Sequence, residues 1–368
     1  MTTGRLFRTS VLVTIVWGGC GDLAGTVNLA ESEKSITNYS SHPNGTGIHV
    51  GSTEPESWFG LTNISLTWFM DGFSQHSDGS WWATGWYSIG VGLLSADAEL
   101  ISAEINGASL GVQAIRTTGS RLSVDLRDSL GNVQTLQDSA LIGLSFLLSV
   151  PDPVGLTHTN YLLRIATAET LSSQFSDVYA YQMEYVVAGL LGATTSSSCI
   201  GPNNESQRSV FYQGSQWNPM NAERSDGMNL VTMTCESGAV ATCMRWGYRP
   251  WGSGQDQTGQ TASFADYHQA CIHMKRASYC GDSQTYTLDG TPIFISDELS
   301  PPINSGSMAL IEALWTTTGA TCVSNRRHPE FLFLGCPLPL PNCPSDLGSS
   351  YLLADGLVPA GVLARLTD

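Results

Sequence analysis

Apolar and polar positions alternate with a period of two along much of the first half of the chain, in short runs separated by turn residues. Ile64, Leu66 and Trp68 share one face of residues 63–69, and Leu122, Val124 and Leu126 share one face of residues 122–126. Successive side chains of a strand point to opposite sides, so this pattern predicts strands with one face in a core. Residues 81–91 are rich in aromatic and β-branched side chains. Residues 99–105 run into Asn106-Gly107, a dipeptide suited to a two-residue hairpin turn. Residues 141–150 are almost continuously apolar, which predicts a strand buried on both faces. Residues 161–166 and 178–187 continue the series. Short strands at regular spacing predict an antiparallel sheet arranged as a sandwich or barrel.

The pattern changes after a Ser/Thr run at residues 194–198. Phe264, Tyr267, Cys271, Met274 and Ser278 recur at helical spacing and predict a helix over residues 263–277. Ser263 or Asp266 is placed to cap its start, and Cys280-Gly281 to end it with glycine in a left-handed turn. The expected fold class is α+β and β-rich. An N-terminal antiparallel β domain, sandwich or barrel-like, covers residues 51–195, and a disulfide-stapled α+β domain covers residues 196–343. Residues 21–50 are polar and read as a flexible tether. Residues 344–368, with a short apolar stretch from Val358 to Leu366, read as a C-terminal tail.

Residues 1–20 have the form of a lipoprotein signal. Arg5 and Arg8 precede a short apolar run over residues 11–17, and Gly18-Gly19 lead into Cys20. That run is too short for a permanent membrane helix, which needs roughly 20 residues. Trp17 stands where such signals carry an aliphatic residue, so secretion with an unmodified Cys20 is the alternative. Beyond the candidate lipidation site Cys20, the eight other cysteines are Cys199, Cys235, Cys243, Cys271, Cys280, Cys322, Cys336 and Cys343. An even count after export predicts a disulfide framework. Cys336 with Cys343, across the turn at residues 337–341, is the expected local pair. No C-x-x-C spacing occurs, which argues against a zinc site.

Composition narrows the functional classes. Hydrophobic residues make up 42% and charged residues 13%, the profile of a turn-rich extracellular β protein. A formal charge of −16 argues against nucleic acid as a partner. No apolar run after residue 20 reaches membrane-spanning length, so a lipid anchor is the expected membrane attachment.

Three motifs stand out: residues 243–251 (CMRWGYRPW), residues 265–271 (ADYHQAC) continuing to Asp282, and residues 288–293 (LDGTPI). With Cys235 upstream and residues 312–322 (EALWTTTGATC) downstream, residues 199–328 resemble the ADYC domain. That domain belongs to exported bacterial proteins, notably of myxobacteria. The signature tetrapeptide here is Ala277-Ser278-Tyr279-Cys280, with Ser278 in place of aspartate. The resemblance implies a compartment and a fold family, and no reaction.

The candidate chemistry is sparse. His268 and Cys271 share a helix face, where a thiol and an imidazole would pair as nucleophile and base. Gln269 occupies the position where secreted phospholipases carry an aspartate after the histidine. Trp58, Trp68, Trp81, Trp82 and Trp86 crowd one window, either as core and rim or as a platform for glycans. Arg245 and Arg249 are placed to stack on Trp246 and Trp251. Asp282, Asp289 and Asp297 compose a possible calcium set without EF-hand spacing. The expected function is that of an exported, lipid-anchored envelope protein, a non-enzymatic binding or structural module with an envelope or extracellular partner and no cofactor. The alternatives are a secreted hydrolase using His268 and glycan binding by the Trp-rich region.

Overall fold

The computed structural model describes residues 41–43, 62–63, 68–88, 93–152, 157–171, 177–189, 195–200, 205–219, 221–282, 284–287, 292–305, 311–329, 336, 339–344 and 350–352. The signal segment with Cys20, the first part of the tether, Trp58, Asp289 and residues 353–368 lie outside the described residues.

One antiparallel sheet dominates. Its main path runs in space through Leu93–Ser95, Trp81–Ser88, Trp68–Gln75, Arg224–Cys235, Ser209–Trp217, Tyr179–Val187, His158–Thr170, Ser145–Pro151, Ala98–Ile105, Ala108–Thr118, Arg121–Arg127 and Val133–Gln137. Trp82 pairs with Glu99 and Ala83 with Ala98, which joins Trp81–Ser88 to Ala98–Ile105. This closes eight strands into a ring, the barrel among the two expected forms. Two seams are narrow: that one, and a single residue pair, Tyr181 with Ser209, between Tyr179–Val187 and Ser209–Trp217. The last three strands of the path continue beyond the ring.

An eight-stranded barrel is just wide enough for side chains to fill. Trp68, Met70, Phe73, Phe146, Tyr181 and Phe211 are among the residues that fill this one. A second core lies against the opposite face of the same strands. Phe69, Ala180 and Val210 belong to it, each beside a neighbour in chain that belongs to the barrel core. Two helices cover this face, α1 (Ala239–Arg245) and α2 (Phe264–Arg276). Ile293, Ile295 and Trp315 complete it. Those three come from a smaller sheet ordered Ser41–Pro43, Pro292–Asp297, Ser350–Leu352, Ala313–Thr316 and Gly319–Val323. Ser41–Pro43 falls within the expected tether, yet its backbone pairs antiparallel with Pro292–Asp297. Backbone pairing does not require apolar side chains, which is why composition missed it.

The local expectations are met in most places. Asn106 and Gly107 both have positive φ, 52° and 77°, as a tight hairpin turn between Ile105 and Ala108 requires. Leu122, Val124 and Leu126 are fully buried. Residues 141–150 depart from the expectation. A 3₁₀ turn at Asp138–Leu141 precedes the strand Ser145–Pro151, which alternates, with Phe146, Leu148 and Val150 buried and the residues between them half-buried. Leu147 is apolar on the half-exposed face, and it disguised a one-sided strand as a two-sided one. The change in sequence texture near residue 196 marks where the cysteines begin. It is no break in the sheet, since Ser209–Trp217 and Arg224–Cys235 complete the barrel.

Helix α2 starts as expected, with Ser263 Oγ accepting from the Ala265 N–H at 3.2 Å. Its last residue, Arg276, lies within one position of the expected end, but the residue that closes it is not the expected glycine. Ala277, with φ 50°, takes the left-handed position, and the Ser278 N–H closes onto the His273 carbonyl. Gly281 is left-handed as expected, with φ 66°, but lies beyond the helix cap, and a Cβ there would lie 1.9 Å from the Thr318 carbonyl oxygen. Only glycine lets the turn after α2 approach the hairpin Ala313–Val323 this closely.

Phe211→Ala is expected to cost about 3–5 kcal/mol by opening a cavity in the barrel core. Met228→Ala, at an exposed position, is expected to change stability by less than about 0.5 kcal/mol. Urea denaturation of both variants checks the contrast.

Candidate functional site

The eight cysteines after residue 198 form four bonds: Cys199–Cys235, Cys243–Cys271, Cys280–Cys336 and Cys322–Cys343. The expected Cys336–Cys343 pair does not form. Val323 donates to the Pro341 carbonyl and the Cys343 N–H donates to Ser324 Oγ, so Cys343 is held beside Cys322. Cys336 meets Cys280 beyond the end of α2. Closure entropy rises only slowly with loop length, so short separation was a weak guide against these local contacts.

Cys243–Cys271 ties α1 to α2, and Cys271 is therefore no thiolate. His268 is fully buried, its Nε2 lies 2.9 Å from the Val240 carbonyl oxygen, and its ring packs 5.3 Å from that of Trp217. Burial pushes its pKa down to about 4. The nucleophile–base pair read from the sequence is not assembled.

The other candidates also have structural partners. Trp68 and Trp81 are buried, Trp82 stacks on His76 at 4.9 Å, and the Trp86 N–H donates to Asp71 Oδ2. Arg249 is engaged by a carboxylate. It reaches both oxygens of Asp177 at 2.7 Å, and the Trp251 N–H shares Asp177 Oδ2. Asp297 accepts from the Tyr248 hydroxyl and from the N–H groups of Leu299, Ile303 and Asn304, so it organises a turn. Burial is the main reason its pKa is raised. Asp282 accepts from the Gln284 N–H. Among the described residues no group of three or more His, Cys, Asp or Glu side chains is arranged to hold a metal ion. Ser278, at the departure from the family signature, donates to the Asp282 carbonyl.

A polar crevice of ≈ 460 Å³ lies elsewhere on α2, where residues 221–226 at the start of the strand Arg224–Cys235, the helix and the hairpin at 317–318 converge. Gln269 and His273, one helical turn apart, form its floor, with Glu223, Arg224 and Asp226 on one side and Thr317 and Thr318 on another. Both floor residues are only 3% exposed. Gln269 Oε1 accepts from the Trp217 N–H at 2.6 Å, and its amide nitrogen donates to the Ala222 carbonyl at 2.8 Å. His273 Nε2 lies 3.0 Å from the Thr317 carbonyl oxygen, and burial pushes its pKa down to about 4. Sequence reasoning passed over Gln269 and His273 in favour of His268. The available signal was two hydrogen-bonding residues at i and i+4, one turn apart on the same side of the helix. The partner Trp217 lies 52 residues away and was not legible.

Both histidines are held neutral, with folded pKa values below the ordinary value of about 6.5. Their contribution to stability is complete above that pH and is lost as pH falls through about 4. The wild-type unfolding free energy is expected to fall across this window by about a few kcal/mol, and the urea midpoint with it. His273→Gln is expected to flatten the fall. A midpoint independent of pH between these values contradicts the account.

The ADYC domain profile matches residues 138–329, just over half of the chain. The match begins before the first cysteine of the framework and takes in the barrel strands Ser145–Pro151, His158–Thr170 and Tyr179–Val187. The resemblance read from the motifs, over residues 199–328, was therefore narrower than the domain. No curated protein and no solved structure matches the chain. The match takes in both helices and the Cys199–Cys235 and Cys243–Cys271 bonds, and, covering more than half of the chain, it shows that the chain belongs to the ADYC domain family.

Proposed function

We propose that this chain is an exported protein of the bacterial cell envelope, anchored by lipid on Cys20, that acts as a non-enzymatic binding or structural module. The observation that carries the reading is the oxidation of all eight cysteines after residue 198. Disulfides form and persist in oxidising compartments and are rare in the cytosol. Among the described residues no helix is long and apolar enough to cross a membrane, which agrees with attachment by lipid.

The non-enzymatic part rests on chemistry. Cys271 is in a disulfide and His268 is packed between α1 and Trp217, so the hydrolase alternative lacks its nucleophile and an accessible base. Glycan binding by the Trp-rich region has little support, because Trp68 and Trp81 face a core. The partner is an envelope or extracellular component met by a rigid, stapled surface.

Fractionation and intact mass test the reading together. The protein purified without reductant and denatured is expected to take up no alkylating reagent at the eight framework cysteines. Its mature N-terminus is expected to be a diacylated Cys20 recovered with membranes. An unmodified N-terminus removes the lipid and leaves export standing. Free thiols throughout the framework, with recovery from the cytosol, overturn the proposal.

A further inference from the structure

The crevice above α2 offers more hydrogen-bond acceptors than donors. Arg224 directs its guanidinium to the Ala265 carbonyl at 3.0 Å and to Asp226 at 3.1 Å, with Asp266 at 3.9 Å. Gln269 is committed to Trp217 and Ala222, and the Asn221 amide faces Glu223 at 3.4 Å. His273 is neutral at pH 7 and adds no positive charge. Glu223 and Asp226 are both exposed on the rim. One guanidinium shared among several acceptors does not balance these carboxylates. The cavity is thus locally negative, on a chain of formal charge −16 that attracts cations at longer range.

A second observation comes from the floor. His273 Nε2 lies 3.1 Å from the amide nitrogen of Gln269, a donor, and 3.0 Å from the Thr317 carbonyl oxygen, an acceptor. A neutral imidazole nitrogen either donates or accepts. The bond from Trp217 fixes the Gln269 amide, so a flip cannot relieve the conflict. His273 Nδ1 is buried with no hydrogen-bond partner among the described residues. A side chain this buried, with unmatched nitrogens beneath a cavity, marks an incomplete polar network. A donor arriving at the Thr317 carbonyl lets Nε2 accept from Gln269 instead.

We propose that this crevice binds a ligand bearing a protonated amine, with the ammonium group held by the Glu223 and Asp226 carboxylates and donating to the Thr317 carbonyl. The volume of ≈ 460 Å³ suits a small ligand or one end of a larger one. Binding shifts the His273 tautomer toward Nδ1–H. The proposal does not depend on where the chain resides.

Calorimetry and ¹⁵N-detected imidazole spectra of the full oxidised protein test this, with 1,5-diaminopentane as the probe and glutarate and 1,5-pentanediol as controls. The expected Kd for the diamine is at or below about 1 mM, weakening with added salt. The His273 nitrogen shifts should move with the diamine alone. Glu223→Gln, at an exposed position that leaves folding intact, is expected to weaken binding ~10-fold or more. Any one of three results overturns the proposal: no heat and no His273 shift with diamine at about 10 mM, equal binding of glutarate or the diol, or unchanged affinity in Glu223→Gln.

Discussion

Strands that serve two cores at once are the constraint on which the rest of this structure depends. In Trp68–Gln75, Tyr179–Val187 and Ser209–Trp217, consecutive residues such as Val210 and Phe211 are buried on opposite sides. A slip of one residue exchanges every side chain between the two faces. Here such a slip would disrupt the barrel interior and the helical layer together, so register is specified twice. The family match begins at residue 138 and takes in two of these three strands, Tyr179–Val187 and Ser209–Trp217. The stapled layer has no separate floor, because the outer face of the barrel is its floor.

Covalent and ionic links then fix the helices on that floor. Cys243–Cys271 joins α1 to α2, and Cys280–Cys336 fastens the chain just past the end of α2. Arg327 secures the same end. Its guanidinium donates to the Met274 and Lys275 carbonyls in the last turn of α2 and pairs with Glu312 at 3.1 Å. That pair is nearly buried, and removing one partner would leave an uncompensated charge there. With α2 held along its length and at its C-terminal end, Cys271 bonds to α1 while Gln269 and His273 line the crevice.

What could be read from the sequence was local. The alternation at residues 122–126, the Asn106-Gly107 turn and the start of α2 at Ser263 each depend on neighbours in chain, and each is present. The even cysteine count anticipated a framework without its connectivity. Ring closure depends on Trp82 meeting Glu99 across a turn region, and pattern alone does not distinguish a barrel from a sandwich. The capping residue of α2 was misassigned because a left-handed residue is usually glycine, and here Ala277 adopts that conformation. The crevice was missed because Gln269 and His273 on its floor meet Glu223, Arg224 and Thr317 only in the fold.

The central claim is that barrel and helical layer fold as one unit through shared strands, and amide hydrogen exchange across a urea series tests it most directly. With disulfides intact, the amides of Ser145–Pro151 and of α2 are expected to lose protection together, with the same denaturant dependence, as one cooperative transition. Exchange of the α2 amides at low urea while those of Ser145–Pro151 stay protected would contradict it.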